Sequence, residues 1–135
     1  MKASEFTILF AEDDPGIQRM YERNFVKEGY KVVLAEHGAR VLAELREQKV
    51  DLLVTDLAMP GMNTLEMLSI LKKDFPHLPV IVVSGHYLNM REDFTAKGYH
   101  INVFMNKPVA VSELKQKIEM VLKAREAETA GKGKN

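Results

Sequence analysis

Residues that can do chemistry stand just past the ends of several short apolar runs of this sequence. Glu12 and Asp13 follow the first run, Asp56 the third, Ser84 the fourth and Lys107 the fifth. The carboxyl ends of the strands in an open parallel sheet lie along one edge, so these side chains are expected to converge there. Acids that converge with a hydroxyl and a lysine predict a site for magnesium and a phosphoryl group.

The elements that must position these residues are predicted from hydrophobic periodicity. Short, nearly continuous apolar runs rich in β-branched residues indicate strands covered on both faces, over Phe6–Ala11, Lys31–Ala35, Asp51–Thr55, Pro79–Val83 and Asn102–Met105. Apolar residues at helical spacing follow each run, more weakly over Leu88–Lys97. Asp14 before Pro15 predicts the start of the first helix. The repeated order of strand then helix predicts a doubly wound α/β fold.

Composition limits the classes of function. The chain has 135 residues, enough for one domain, which is expected over residues 1–126 with a frayed tail over 127–135. Nineteen basic and nineteen acidic residues cancel, so direct binding to nucleic acid is not expected. No apolar run has the length of a signal-peptide core or a membrane span, so the expected location is the cytoplasm without membrane insertion. The absence of cysteine excludes disulfides and thiolate chemistry.

The expected closeness of three acidic side chains predicts a metal site. If the strand order is 2-1-3-4-5, strands one and three are neighbours, and Glu12, Asp13 and Asp56 are expected to share the crevice between them. Three close carboxylates repel one another, and a divalent cation relieves the repulsion. Mg²⁺ is the expected ion because it takes oxygen ligands and binds together with phosphate. Asp56 can then act as a nucleophile toward a phosphoryl group, with Lys107 neutralising charge and Ser84 adding a hydrogen bond.

In combination, four short motifs make this sequence resemble the response regulator receiver domain of two-component signalling. The resemblance extends over residues 6–125, and its motifs are Glu12-Asp13, Asp56-Leu57-Ala58-Met59-Pro60-Gly61, Ser84-Gly85 and Lys107-Pro108. It implies a flavodoxin-like fold, a five-stranded parallel sheet in the order 2-1-3-4-5 with five helices.

The resemblance also implies a role for each matching residue. Asp56 is the expected phosphoacceptor, Asp13 a direct Mg²⁺ ligand and Glu12 a ligand through water. The carbonyl of Ala58 is expected to be a third protein ligand, beside Asp13 and Asp56. Ser84 resembles the switch hydroxyl of the family, and Lys107 its phosphate-binding lysine, whose bond to the following proline is usually cis.

The function implied by the resemblance is a signalling switch that depends on phosphorylation. A histidine kinase or phosphotransfer protein would supply the phosphoryl group, and a downstream protein target would bind the altered surface. That surface is expected to combine the helix predicted over Leu88–Lys97, the fifth strand and the last helix. Such a protein is not an enzyme, but a phosphoacceptor that assists its own phosphorylation and dephosphorylation.

Some residues depart from the family pattern and keep alternatives open. Thr64 stands where glycine is common, and Phe104 takes the position of the switch aromatic without a phenolic hydroxyl. These departures permit a receiver-like scaffold that binds partners without phosphorylation. A Mg²⁺-dependent phosphatase with Asp56 as nucleophile is disfavoured, since Ala58 stands where such enzymes place a second acid. A flavin-binding protein is disfavoured because acids at the switch point repel a phosphate unless a metal compensates their charge.

Overall fold

A five-stranded parallel sheet forms the centre of the protein. The structure is a computed structural model that describes residues 1–59, 61, 63–85, 98 and 101–133. In chain order the strands are β1 (Thr7–Ala11), β2 (Lys31–Ala35), β3 (Leu52–Thr55), β4 (Val80–Ser84) and β5 (Val103–Asn106). Their order across the sheet is β2-β1-β3-β4-β5, and every pairing is parallel. The predicted α/β class and strand order are confirmed.

Helices follow the strands, as the sequence predicts. Those within the described ranges are a short 3₁₀ helix (Ala3–Glu5), α1 (Pro15–Lys27), α2 (Gly38–Glu47), α3 (Thr64–Asp74) and α4 (Val111–Gly133). The helix predicted over Leu88–Lys97 lies outside the described residues. Of the helices that the structure describes, none has both the length and the apolar character needed to cross a lipid bilayer.

The last helix is longer than the sequence indicates. The backbone of α4 stays helical to Gly133, beyond residue 127, where a frayed tail was predicted to begin. In the added turns Glu128 and Ala130 favour a helix even where no apolar stripe continues, whereas Gly131 and Gly133 do not. The division into a domain over 1–126 and a tail over 127–135 stays a prediction.

Among the helices that the structure describes, two cover each face of the sheet. On one face α1 and α4 pack on side chains of β1, β3, β4 and β5. The ring of Phe10 stacks on Tyr21 at a centroid distance of 4.6 Å and meets Phe25 at 5.1 Å. On the other face α2 and α3 close a second apolar cluster. Burying one such Phe or Leu side chain contributes about 1.5–3 kcal/mol, so the two clusters hold the strand ends in place.

The predicted start of α1 is confirmed. This start fixes one end of the loop that carries Glu12 and Asp13. The side chain of Asp14 accepts a hydrogen bond from the backbone N–H of Ile17 at 3.0 Å, and Pro15 occupies the first turn. The cap satisfies one of the orphan N–H groups at the helix start, and proline needs no such partner. The chain therefore leaves β1 through a short loop whose far end is anchored.

Candidate metal centre at the carboxyl edge of the sheet

The site residues continue the hydrogen-bond ladder of the sheet past the strand ends. The backbone N–H of Glu12 donates to Ala35 at 2.9 Å, and that of Asp56 donates to Ala11 at 3.1 Å. The N–H of Lys107 donates to the carbonyl of Ser84 at 2.9 Å. Each residue is therefore held by its neighbouring strand, and the side chains meet at one edge as predicted.

An ammonium group joins the two buried acids of the site. The Nζ atom of Lys107 lies 2.6 Å from Oδ2 of Asp56 and 3.0 Å from Oε2 of Glu12. Glu12 is 1% exposed and Asp56 is 7% exposed. Hydrogen bonds between charged groups in such a dry setting are about twice as strong as neutral ones, so Lys107 compensates both carboxylates.

The three predicted acidic ligands form one cluster. Ligand oxygens of Glu12, Asp13 and Asp56 all lie within 4.8 Å of one another. Glu12 and Asp56 are buried, whereas Asp13 is exposed to solvent. A set of carboxylate oxygens with an open side fits a hard cation such as Mg²⁺, which keeps several waters and binds through a few carboxylates. When all three acids are ionised, one ammonium leaves two negative charges uncompensated, which favours a divalent cation.

The pKa shifts of Glu12 and Lys107 show how burial and hydrogen bonding affect their charged forms. Burial raises the pKa of Glu12, and the hydrogen bonds from Lys107 and from the N–H of Asp14 offset this only in part. Burial acts to lower the pKa of Lys107, but its bonds to Asp56 and Glu12 outweigh burial and raise that pKa. Lys107 therefore stays charged at neutral pH. A cation nearby would offset the cost of burying the negative charge of Glu12.

Ala58 and Ser84 are the remaining predicted residues of the site. The N–H of Ala58 donates to Oδ1 of Asp56 at 2.9 Å, which leaves Lys107 on the other carboxylate oxygen. Ser84 ends β4 and is buried, and its hydroxyl oxygen has no hydrogen-bond partner among the residues that the structure describes. A buried hydroxyl without a partner can donate a hydrogen bond to an acceptor group that enters the site. The Ala58 carbonyl as a metal ligand stays a prediction.

Two features that the sequence singled out lie in β5 and just after it. The peptide bond between Lys107 and Pro108 is cis, as the family resemblance implies. Phe104 is partly buried and packs against the apolar cluster on the α2 and α3 side of the sheet. Its role as a switch aromatic remains a prediction.

Sequence reasoning missed two side chains that hold the backbone of the acids. Nε2 of Gln18 donates to the carbonyl oxygen of Glu12 at 2.6 Å. The hydroxyl of Thr55, which is fully buried, donates to the carbonyl oxygen of Asp56 at 2.9 Å. Neither contact has a sequence motif, because each depends on the path of the chain after a strand.

The hydroxyl of Tyr21 provides a test of the electrostatics behind the site. Burial, together with the negative charge of Glu12, raises the pKa of Tyr21 from 10.0 to about 12. Below pH 10 the hydroxyl is neutral in both states and its contribution to stability is fully present. Between pH 10 and 12 it ionises only in the unfolded chain, so the free energy of unfolding falls by roughly 3 kcal/mol from this group.

Tyr21→Phe is expected to remove that alkaline loss. Urea unfolding of the two proteins at pH 8, 10 and 11 measures it, with the difference at pH 8 as the baseline. The wild-type protein should lose more stability than the variant as the pH rises. Parallel pH curves for the two proteins would contradict the assignment.

Comparisons with known proteins agree with the motifs. Residues 8–119 match the family model of the response regulator receiver domain. The transcriptional regulatory protein GlrR of Escherichia coli (strain K12) is 34% identical over 115 residues, which cover 85% of this chain and 26% of GlrR. The probable transcriptional regulatory protein TcrX of Mycobacterium tuberculosis is 27% identical over 131 residues, or 94% of this chain and 54% of TcrX. The chain thus spans about a quarter of GlrR and half of TcrX.

Solved structures share the same fold. A CheY-like response regulator receiver domain protein from Methanospirillum hungatei JF-1 has a TM-score of 0.84 and 27% sequence identity, covering 91% of this chain and 98% of its own. The response regulator TrrA from Thermotoga maritima, solved in complex with Mg²⁺-BeF, has a TM-score of 0.74 and 26% identity, covering 86% of this chain and 98% of its own.

Proposed function

Because the chain belongs to the response regulator receiver family, we propose that it is a switch that accepts a phosphoryl group on Asp56 with Mg²⁺ and thereby changes a protein-binding surface. The observation that supports this most directly is the placement of the Asp56 carboxylate. Its Oδ2 lies 2.6 Å from the ammonium of Lys107, and it belongs to the same acid cluster as Glu12 and Asp13. A nucleophile, a positive charge and a set of cation ligands are thus present together.

In the proposed reaction the phosphoryl group comes from a phosphohistidine of a histidine kinase or phosphotransfer protein. A carboxylate oxygen of Asp56 attacks phosphorus, the new O–P bond forms as the P–N bond breaks, and the leaving imidazole takes a proton from solvent. When bound, Mg²⁺ supplies positive charge to the transferring oxygens. Glu12, Asp13, Asp56 and the carbonyl of Ala58 would hold it, with Glu12 acting through water.

The residues of this chain then respond to the added charge. A phosphoryl group brings nearly two negative charges and several strong acceptor oxygens. Lys107 would move from Glu12 and Asp56 to these oxygens, and the Ser84 hydroxyl would donate to them. Ser84 and Lys107 are joined through the backbone at 2.9 Å, so β4 and β5 would shift together. Their movement would alter the surface of β5 and α4 that a partner binds.

Proposed partners follow from the family and from the charge of the chain. The signal would come from a histidine kinase or phosphotransfer protein and pass to a downstream protein target or effector domain. Basic and acidic residues cancel, which supports an output through protein contacts rather than direct binding to nucleic acid. We place this switch in the cytoplasm, and propose that it assists its own phosphorylation and dephosphorylation without turning over a separate substrate.

The test is intact mass after incubation with Mg²⁺ and acetyl phosphate. One phosphoryl adduct per chain is expected, stable in acid and labile in base. It should be absent when Mg²⁺ is removed with a chelator. No adduct, together with no response of the Asp56 and Ala58 amide signals to beryllium fluoride, would contradict the proposal and favour a scaffold that works without phosphorylation.

A further inference from the structure

Gln18 reaches from the first turns of α1 back to the end of β1. Its Nε2 donates to the carbonyl oxygen of Glu12 at 2.6 Å, while its backbone N–H donates to the carbonyl of Asp14 at 2.9 Å. The side chain is only partly exposed. Gln18 therefore closes the loop between β1 and α1, and that loop carries Glu12 and Asp13, two of the three clustered acids.

The hydrogen bond from Gln18 holds the peptide group between Glu12 and Asp13. The carbonyl of Glu12 belongs to the planar peptide that joins Glu12 to Asp13, so holding this oxygen also fixes the direction in which the chain enters Asp13. Two other bonds in the loop, from Asp14 N–H to Oε1 of Glu12 at 3.2 Å and from Ile17 N–H to Asp14, hold different groups. Asp13 itself is exposed, so packing does little to orient it.

We propose that Gln18 is a positioning residue for the metal centre: it holds the Glu12–Asp13 peptide so that the two carboxylates and Asp56 can share one cation. This inference rests on the proposed Mg²⁺ binding. Residues that hold metal ligands in place without touching the metal typically change its affinity by 10–100-fold when they are replaced. A bond that served only to stabilise α1 would leave the metal affinity of the folded protein unchanged.

The chain offers a matched control on the same helix. Asn24 donates from its side-chain Nδ2 to the carbonyl of Met20 at 2.8 Å, a bond of the same chemical type away from the acids. Gln18→Met and Asn24→Leu each keep the approximate shape of the side chain and remove the donor. Comparing them separates the loss of a bond on α1 from the loss of this bond at the site.

The first measurement is a Mg²⁺ titration followed by the amide NMR signals of Asp56 and Ala58. Gln18→Met should raise the Mg²⁺ dissociation constant about tenfold, and Asn24→Leu should leave it near the wild-type value. In protein without metal, the order parameter of the Asp13 amide should fall in Gln18→Met only. Urea unfolding without Mg²⁺ confirms that both variants are folded.

The rate of phosphorylation by acetyl phosphate, measured at several Mg²⁺ concentrations, separates an effect on Mg²⁺ affinity from an effect on the phosphorylation step. Gln18→Met should need about tenfold more Mg²⁺ for half its maximal rate, yet reach the wild-type rate at saturation. Equal Mg²⁺ affinity in Gln18→Met and wild type would overturn the role of Gln18 and leave the proposed function standing. A wild-type protein with neither Mg²⁺ binding nor an adduct would overturn both.

Discussion

Asp56→Asn is expected to abolish the phosphoryl adduct while the protein stays folded. Asparagine has the shape of aspartate, and its amide oxygen can still accept the hydrogen bond from Ala58 N–H, which is 2.9 Å long in the native protein. The amide is not a nucleophile toward phosphorus, so the reaction loses its acceptor. Intact mass of the variant beside the wild type, each with Mg²⁺ and acetyl phosphate, measures the result.

Asp51→Asn is the matched control for this change. Asp51 is 6% exposed and precedes β3, at the opposite end of the strand from Asp56. Its Oδ2 accepts from the N–H of Thr7 at 2.8 Å, a bond that an amide oxygen can replace. The control should be phosphorylated fully. An adduct of wild-type yield on Asp56→Asn would instead assign the acceptor to another acid, and Asp56 would lose the role given to it.

The sheet and the meeting of the acids were predictable because one pattern encodes both. The strand Leu52–Thr55 begins with three apolar residues since it is covered on both faces, and the first charged residue after it, Asp56, marks its end. Every predicted strand end lies within one residue of the observed one. Once all strands are parallel, residues after their ends must share one edge, which brings Glu12, Asp56 and Lys107 together.

Other parts of the site depend on side-chain directions and loop paths that no spacing encodes. Lys107 bonds to both Glu12 and Asp56. These contacts depend on the rotamers of three side chains that follow three different strands. Gln18 meets the Glu12 carbonyl only because the loop before α1 turns back on itself. At the turn before α3, where Thr64 stands in place of a common glycine, Asn63 caps the helix by accepting a hydrogen bond from the N–H of Leu65 at 2.8 Å.

Lys107→Met is expected to lower the free energy of unfolding by about 3 kcal/mol at pH 8 without Mg²⁺, because it leaves two buried carboxylates without their positive partner. Methionine keeps most of the length of the side chain and removes its charge. The native ammonium lies 2.6 Å from Asp56 and 3.0 Å from Glu12, and its side chain is 25% exposed. Urea unfolding in the presence of a chelator measures the loss.

The loss should depend on pH in a direction fixed by Glu12. Burial already raises its pKa above the ordinary value of 4.5, and the variant lacks the Lys107 bond that opposes this rise. A carboxyl group with a raised pKa in the folded state destabilises the fold above that pKa and has no effect below the unfolded value. The deficit of Lys107→Met should therefore shrink as the pH falls from 8 toward 5.

Mg²⁺ should act like the missing ammonium. Since Lys107 bonds to the same acids that would hold the metal, its removal frees their oxygens, and added Mg²⁺ should stabilise Lys107→Met more than the wild type. Lys115→Met is the control, because Nζ of Lys115 also lies 3.0 Å from a carboxylate, on Glu28, but both side chains are partly exposed. That surface pair should contribute less than about 1 kcal/mol, with no response to Mg²⁺.

The pH and Mg²⁺ responses together decide what Lys107 does in the resting protein. A deficit that shrinks at low pH and on adding Mg²⁺ means that the lysine serves as a built-in cation, which the metal and then the phosphoryl group release for a new contact. A deficit that is equal at pH 5 and pH 8 and insensitive to Mg²⁺ would mean that the aliphatic part of Lys107 stabilises the fold by packing. In that case the proposed exchange of Lys107 from Asp56 to the phosphoryl oxygens would lose its electrostatic basis.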